Sequence, residues 1–221
     1  MDISKNLLKI KGGIADTVKL VAVSKTKPVE DIVEAYNAGQ RIFGENKVQE
    51  LIYKQPELPG DIQWHFIGHM QTNKVKFIAP FVSMIEAVDS LKLLREIDKQ
   101  AAKNHRTINC MMQFHIAGED TKFGLDLDEA GEILESPDFK ELKNVNICGV
   151  MGMATFTDDM GQVRGEFRNL KKIFDELKSR YFSASDEFKE ISMGMSGDYQ
   201  IAIEEGSTMV RIGSLIFGER G

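Results

Sequence analysis

The sequence has little of what marks a secreted, metal-binding or membrane protein. It contains two cysteines, Cys110 and Cys148, in apolar strand-like runs and without metal-ligand spacing. We therefore expect reduced core thiols and no metal site. No apolar stretch approaches the roughly 18 residues of a membrane span, and Met1-Asp-Ile-Ser lacks the basic and apolar regions of a signal peptide. These absences predict a cytoplasmic protein that does not bind membranes.

An excess of basic charge is also missing. Lysine and arginine number 28 against 34 aspartates and glutamates, which gives a formal net charge of -6. A protein that binds a phosphate backbone normally concentrates lysine and arginine, so nucleic acid is not an expected partner. The 221 residues are 42% hydrophobic and contain no linker or low-complexity segment. One domain with one core, covering residues 1–221, is therefore expected.

Short apolar runs alternate with amphipathic segments along the whole chain. The first run, Leu20 to Val23, is too continuous for a half-exposed strand and too short for a buried helix, so it predicts a buried parallel strand. The predicted strands cover residues 20–23, 41–44, 63–67, 81–85, 107–115, 145–151, 190–193 and 208–212. Eight strand-helix units predict an α/β fold, a single (β/α)₈ TIM barrel. An open doubly wound sheet is the alternative, but no glycine-rich fingerprint follows the first strand.

Lys25 follows the first strand, at the end where barrels place their chemistry. Apolar surroundings at this position would lower the pKa of its ammonium and let the amine attack a carbonyl. An ordinary loop lysine fits the local sequence as well. Lys27 is the competing amine, and its position beside Pro28 predicts that it already leaves the barrel.

Two glycine-containing turns near the end of the chain resemble phosphate-binding turns. Ser196-Gly197 follows the seventh predicted strand, and Gly213-Ser214 follows the eighth. Each turn combines a hydroxyl with a backbone that can approach a ligand closely, and barrels commonly hold phosphate at these two loops. Ser196 could also be a plain helix N-cap. The two turns on neighbouring strands together predict a phosphate site.

A carbonyl-reactive lysine that faces a phosphate site indicates pyridoxal 5′-phosphate held as a Schiff base, or a Schiff-base aldolase acting on sugar phosphates. Arg211, between the two turns, could hydrogen-bond the pyridine nitrogen. A guanidinium only donates, so it would leave that nitrogen unprotonated and weaken the electron sink. A structural salt bridge is the other interpretation of Arg211.

Several other polar residues can be judged from their positions. Asn46 and Met151 fall at predicted strand ends, and His69 follows a strand and could line the mouth of the barrel. His65 lies within a strand and is expected to be packed or hydrogen-bonded. Two lysines could add positive charge near the mouth or simply be solvated: Lys74 and Lys122. Four carboxylates show no pairing for glycosidase chemistry: Glu45, Glu50, Glu86 and Asp89.

Four motifs, in order along nearly the whole chain, resemble the YggS/PROSC family of pyridoxal phosphate homeostasis proteins. They are Ala22-Val-Ser-Lys-Thr-Lys-Pro28, Phe43-Gly-Glu-Asn46, His65-Phe-Ile-Gly-His69 with Gln71-Thr-Asn-Lys74, and Ser192-Met-Gly-Met-Ser-Gly-Asp198 through Gly206 to Gly218. The resemblance implies a barrel like the N-terminal domain of alanine racemase. It also implies a set of cofactor-binding residues: Lys25 as the Schiff base, Ser196, Gly213 and Ser214 at the phosphate, Arg211 at the ring nitrogen, and Asn46 beside the cofactor. From their positions, Met195 and His69 are expected to complete the cofactor-binding set.

Members of this family are regarded as cofactor carriers that balance vitamin B6 and amino-acid pools, without established turnover. The resemblance thus implies a monomer that binds pyridoxal phosphate and passes it to apoenzymes that need it. A racemase-type enzyme is the alternative. Racemization requires acid/base groups on both faces of the substrate carbon. The four tyrosines all lie in or beside predicted helices, so none is an obvious second group: Tyr36, Tyr53, Tyr181 and Tyr199.

Overall fold

Eight parallel strands form a closed barrel in chain order, in a computed structural model that describes residues 2–118 and 123–219. The strands are β1 Lys19–Val23, β2 Ile42–Glu45, β3 Gln63–Phe66, β4 Met84–Val88, β5 Ile108–Phe114, β6 Val145–Gly152, β7 Glu190–Ser192 and β8 Met209–Ile212. β1 pairs with both β2 and β8, which closes the barrel. The predicted (β/α)₈ fold is confirmed.

Helices surround the barrel. They are α1 Ile3–Gly12, α2 Val29–Asn37, α3 Val48–Lys54, α4 Val75–Ile78, α5 Leu91–Lys103, α6 Leu127–Glu135, α7 Pro137–Lys140, α8 Met160–Arg180, α9 Tyr199–Glu204 and α10 Ser214–Phe217. Two 3₁₀ turns cover Gln55–Glu57 and Thr72–Lys74. Within the described ranges, no helix has the length and apolar character needed to cross a bilayer.

The strands are apolar on both faces because each face meets a different part of the core. One cluster consists only of strand residues and therefore fills the barrel interior: Val21, Met84, Ala87, Met111, Cys148, Met151 and Met209. Alternate strand residues such as Leu20 and Ala22 join a larger cluster that includes the inner faces of the helices. Both cysteines are buried and reduced, and burial raises the pKa of the Cys148 thiol to about 12.

β4 is the strand whose predicted position differs most from the structure. The apolar run predicts residues 81–85, whereas the strand is Met84–Val88. Glu86 ends the apolar run in the sequence, but the strand continues through it and buries its side chain completely. The reason is that His65 on β3 and Arg211 on β8 lie close to this carboxylate inside the barrel and offset its charge.

Gly149 allows β6 to pack closely against β7. A Cβ at this position would lie 1.8 Å from the carbonyl oxygen of Glu190. We expect Gly149→Ala to lower the free energy of unfolding by about 3 kcal/mol in urea denaturation, because the backbone must move. Gly165→Ala in α8 is the matched control, since its Cβ meets no atom within 4 Å. It should stabilise the helix by up to about 1 kcal/mol, and equal effects of the two variants would contradict the prediction.

Candidate functional site

A cavity of about 670 Å³ opens at the carboxyl ends of the strands. This volume is within the usual range for small-molecule sites, about 300–1,000 Å³. All eight residues predicted for the site line this cavity: Lys25, Asn46, His69, Met195, Ser196, Arg211, Gly213 and Ser214. The barrel thus brings together residues from both ends of the chain.

Three further sequence predictions have different outcomes. Met151 is wrong as a site candidate, because β6 continues to Gly152 and the Met151 side chain packs inside the barrel. Met153, two residues later, lines the cavity instead. The sequence places Lys27 outside the barrel, but Lys27 also borders the cavity, and its Nζ donates a hydrogen bond to the Glu219 carbonyl at 3.0 Å. Lys122 lies outside the described residues.

The two predicted phosphate turns meet at the end of β1. The Gly213 N–H donates to Ser196 Oγ at 3.4 Å, which joins the turn after β8 to the turn after β7. A Cβ on Gly213 would lie only 3.1 Å from the Val23 carbonyl oxygen, so this turn packs against the strand that leads to Lys25. Gly194 has φ +94° and lets the β7 turn bend toward the cavity, where Asp198 Oδ1 accepts from Met195 N at 2.5 Å.

Arg211 is held by structural hydrogen bonds at the edge of the cavity. It borders the cavity, yet only 4% of the residue is exposed. Its Nη1 donates to Ser192 Oγ at 2.6 Å and its Nη2 to the Gly152 carbonyl at 2.9 Å. Burial lowers the pKa of the Arg211 guanidinium. The charges of Glu86 and Asp198 raise it, but by less. These two hydrogen bonds and the nearby Glu86 carboxylate fix the guanidinium beside the cavity.

Glu86 is the residue of this network that the sequence did not reveal. Its Oε1 lies 2.6 Å from His65 Nδ1, its Oε2 accepts from Ser192 Oγ at 2.6 Å, and Arg211 Nη1 is 4.0 Å away. Burial alone would raise the pKa of Glu86, but the hydrogen bond and charge of His65, the charge of Arg211 and the Ser192 hydroxyl lower it below the usual value. The signal in the sequence is a single acid that directly follows the apolar run at Ile85.

Asn46, after β2, and His69, after β3, contribute further polar groups to the cavity. The Oδ1 atom of Asn46 is buried, and no donor from the part of the chain that the structure describes reaches it. Buried acceptors normally have partners, so this atom is available to a polar group of a ligand. At the mouth, the His69 ring stacks on Phe123 with centroids 4.1 Å apart, and its Nδ1 lies 3.1 Å from Asp89 Oδ2.

A closed parallel barrel with a lysine after β1, an arginine on β8 and two joined glycine turns defines a class, that of the barrels like the N-terminal domain of alanine racemase. The family model described as "Alanine racemase, N-terminal domain" matches residues 2–221. The chain is 42% identical over 203 residues to the pyridoxal phosphate homeostasis protein of Aquifex aeolicus, covering 91% of this chain and 87% of that protein. The chain belongs to the family of pyridoxal phosphate homeostasis proteins.

Solved structures agree with this assignment. PipY of Synechococcus elongatus, without pyridoxal phosphate, superimposes with a TM-score of 0.91 at 34% sequence identity, covering 98% of this chain and 100% of that chain. The structure of PipY with pyridoxal phosphate bound gives a TM-score of 0.88 with the same identity and coverage.

Proposed function

We propose that this protein binds pyridoxal 5′-phosphate through a Schiff base to Lys25 and acts in intracellular homeostasis of the cofactor and of amino acids. One observation carries the proposal: the amine of Lys25, the joined turns of Ser196 and Gly213, and the donor groups of Arg211 share one cavity. The amine would meet the aldehyde of the cofactor, the joined turns its phosphate, and the arginine its ring nitrogen. The relatives named for pyridoxal phosphate homeostasis and the PipY structure with the cofactor bound support it.

The residues present fit this cofactor chemically. Ser196, Ser214 and the backbone of Gly213 would bind the phosphate, and Arg211 would donate to the ring nitrogen. The buried Oδ1 of Asn46, which no donor among the described residues reaches, would accept a hydrogen bond from the cofactor.

Two further lining residues complete the proposed site. Met195 would pack beside the cofactor, and His69 would lie at the mouth of the cavity.

When bound, the cofactor supplies an aldehyde that condenses with amines. The donor role of Arg211 keeps the ring nitrogen unprotonated, which suits a carrier better than a strong electron sink.

The carrier role is also favoured over a racemase by the residues around the cavity. Racemization needs an acid/base group on each face of the substrate carbon, and Lys25 would supply one of them. No tyrosine is present among the described residues that line the cavity. We therefore propose a cytoplasmic monomer that transfers the cofactor to apoenzymes that depend on it, with no catalytic turnover of its own.

Titration of the purified protein with pyridoxal phosphate tests the proposal. We expect one equivalent to bind and to give visible absorbance that remains with the protein on gel filtration. Borohydride reduction should then add the reduced cofactor to the mass of the chain. Rapid racemization of L- or D-alanine by the same preparation would overturn the carrier role, and a colourless protein that borohydride links to a sugar phosphate would indicate an aldolase.

A further inference from the structure

Three charged side chains lie beneath the turn that carries Lys25, outside the cavity. We call Glu45, Glu50 and Lys54 the anchoring cluster. Lys54 is 5% exposed, although lysine is rarely buried without partners. Its Nζ donates to Glu45 Oε1 at 2.8 Å and to Glu50 Oε2 at 3.0 Å. The cluster is thus one ammonium held between two carboxylates.

The anchoring cluster binds the turn on both sides of Lys25. On the N-terminal side, Lys54 Nζ donates to the Ser24 carbonyl at 2.9 Å, and Ser24 Oγ donates to Glu45 Oε1 at 2.7 Å. On the C-terminal side, the Thr26 N–H donates to Glu50 Oε2 at 2.7 Å. The backbone that bears Lys25 is therefore fixed immediately before and after it.

The backbone of this turn is strained where the cluster holds it. Thr26 has φ +66°, and in the described ranges His105 is the other non-glycine residue with a positive φ. A β-branched residue rarely adopts this region, and such a conformation persists only where surrounding contacts impose it. The hydrogen bond from Thr26 N–H to Glu50 is such a contact. Strain of this kind concentrates where a side chain must be aimed.

Charge supports the same assignment. Partial burial raises the pKa of Glu50, but the hydrogen bonds from the Thr26 amide and Lys54 and the charge of Lys54 lower it below the usual value. Glu50 is therefore an ionised acceptor at neutral pH, and hydrogen bonds to charged groups are stronger than those between neutral groups.

We infer that the anchoring cluster orients Lys25 for condensation with the cofactor aldehyde, a role that rests on the proposed function. In that condensation the neutral Lys25 amine would form a double bond to the aldehyde carbon, and its two protons would leave with the carbonyl oxygen as water. The described residues that line the cavity do not include the cluster. Glu45, Glu50 and Lys54 are thus positioning residues that act through the Ser24 to Thr26 backbone.

Glu50→Ala and Glu50→Gln separate positioning from charge. We expect Glu50→Ala to slow the appearance of cofactor absorbance after rapid mixing by about tenfold or more, because a misplaced reacting group loses rate steeply. Hydrogen exchange of the Thr26 amide, measured without cofactor, should accelerate in the same variant. Glu50→Gln retains an oxygen that accepts from Thr26, so its mixing rate should stay within about threefold of the unaltered protein.

Glu34→Ala is the matched control. Glu34 Oε1 accepts from the Ser4 amide at 3.0 Å, which is the same kind of hydrogen bond, but it joins the outer helices α1 and α2. This variant should leave the mixing rate unchanged. Should Glu50→Ala fail to fold, Glu50→Asp replaces it, since aspartate keeps the charge but cannot reach Thr26 as closely.

The outcomes distinguish this inference from the function on which it rests. If the unaltered protein takes up the cofactor and the alanine or aspartate variant takes it up equally fast, the positioning role is wrong and the proposed function stands. If the unaltered protein takes up no cofactor, the proposed function itself fails. The inference is supported if Glu50→Ala exchanges the Thr26 amide hydrogen faster and takes up cofactor more slowly, while Glu50→Gln shows neither change.

Discussion

Replacing Lys25 with alanine is expected to abolish the visible absorbance that pyridoxal phosphate gives to the protein. Alanine has no amine, so no Schiff base can form, and borohydride should add no cofactor mass to the chain. Lys25 lies two residues beyond Val23, the last residue of β1, and borders the cavity, so the core contacts of the strand stay intact. We therefore expect the circular dichroism spectrum and the urea midpoint to change little.

Lys27→Ala is the control for this experiment. Lys27 borders the same cavity and is also an amine, but its Nζ donates to the Glu219 carbonyl at 3.0 Å. This variant should keep full absorbance and the borohydride adduct. A Lys25→Ala protein that stays yellow at one equivalent of cofactor would contradict the assignment, and loss of the adduct in Lys27→Ala alone would move it to Lys27.

Local sequence is sufficient to predict the barrel because each strand meets apolar groups on both faces. The run from Leu20 to Val23 predicts a buried strand, and β1 is Lys19–Val23. The site is predictable for a related reason. The carboxyl ends of parallel strands meet at one mouth, so Lys25, Ser196 and Arg211 become neighbours once eight strand-helix units are recognised.

The buried charges could not be predicted in this way, because their partners are distant in sequence. Glu86 ends an apolar run, yet it is buried because His65 on β3, Ser192 on β7 and Arg211 on β8 contact it or lie close. Similarly, Lys54 resembles a solvated helix lysine. Its burial depends on Glu45 and on the Ser24 carbonyl, which only the folded barrel brings to it.

Glu86→Ala is expected to lower the free energy of unfolding by about 3–5 kcal/mol, the usual effect of removing one member of a buried charged pair. The variant would leave Arg211 without its buried carboxylate and His65 and Ser192 without their acceptor, all inside the barrel. Urea denaturation measures the change. Glu132→Ala on the exposed face of α6 is the control, because surface changes alter stability by only about 0.5 kcal/mol. A similar small loss for Glu86→Ala would show that the network contributes little to stability.

Glu86→Gln tests whether the charge itself stabilises the barrel, through pH. The folded state lowers the pKa of Glu86, so the unfolded chain binds a proton more readily. The ionised carboxylate therefore adds its full share to the free energy of unfolding above about pH 4.3, the pKa of glutamate in the unfolded chain. This share is lost as the pH falls through the lower pKa of Glu86 in the folded state. The difference in unfolding free energy between the unaltered protein and Glu86→Gln should be constant near neutrality and shrink below about pH 4. A difference that stays constant or grows in acid would mean that Glu86 contributes through shape and hydrogen bonding, not through its charge.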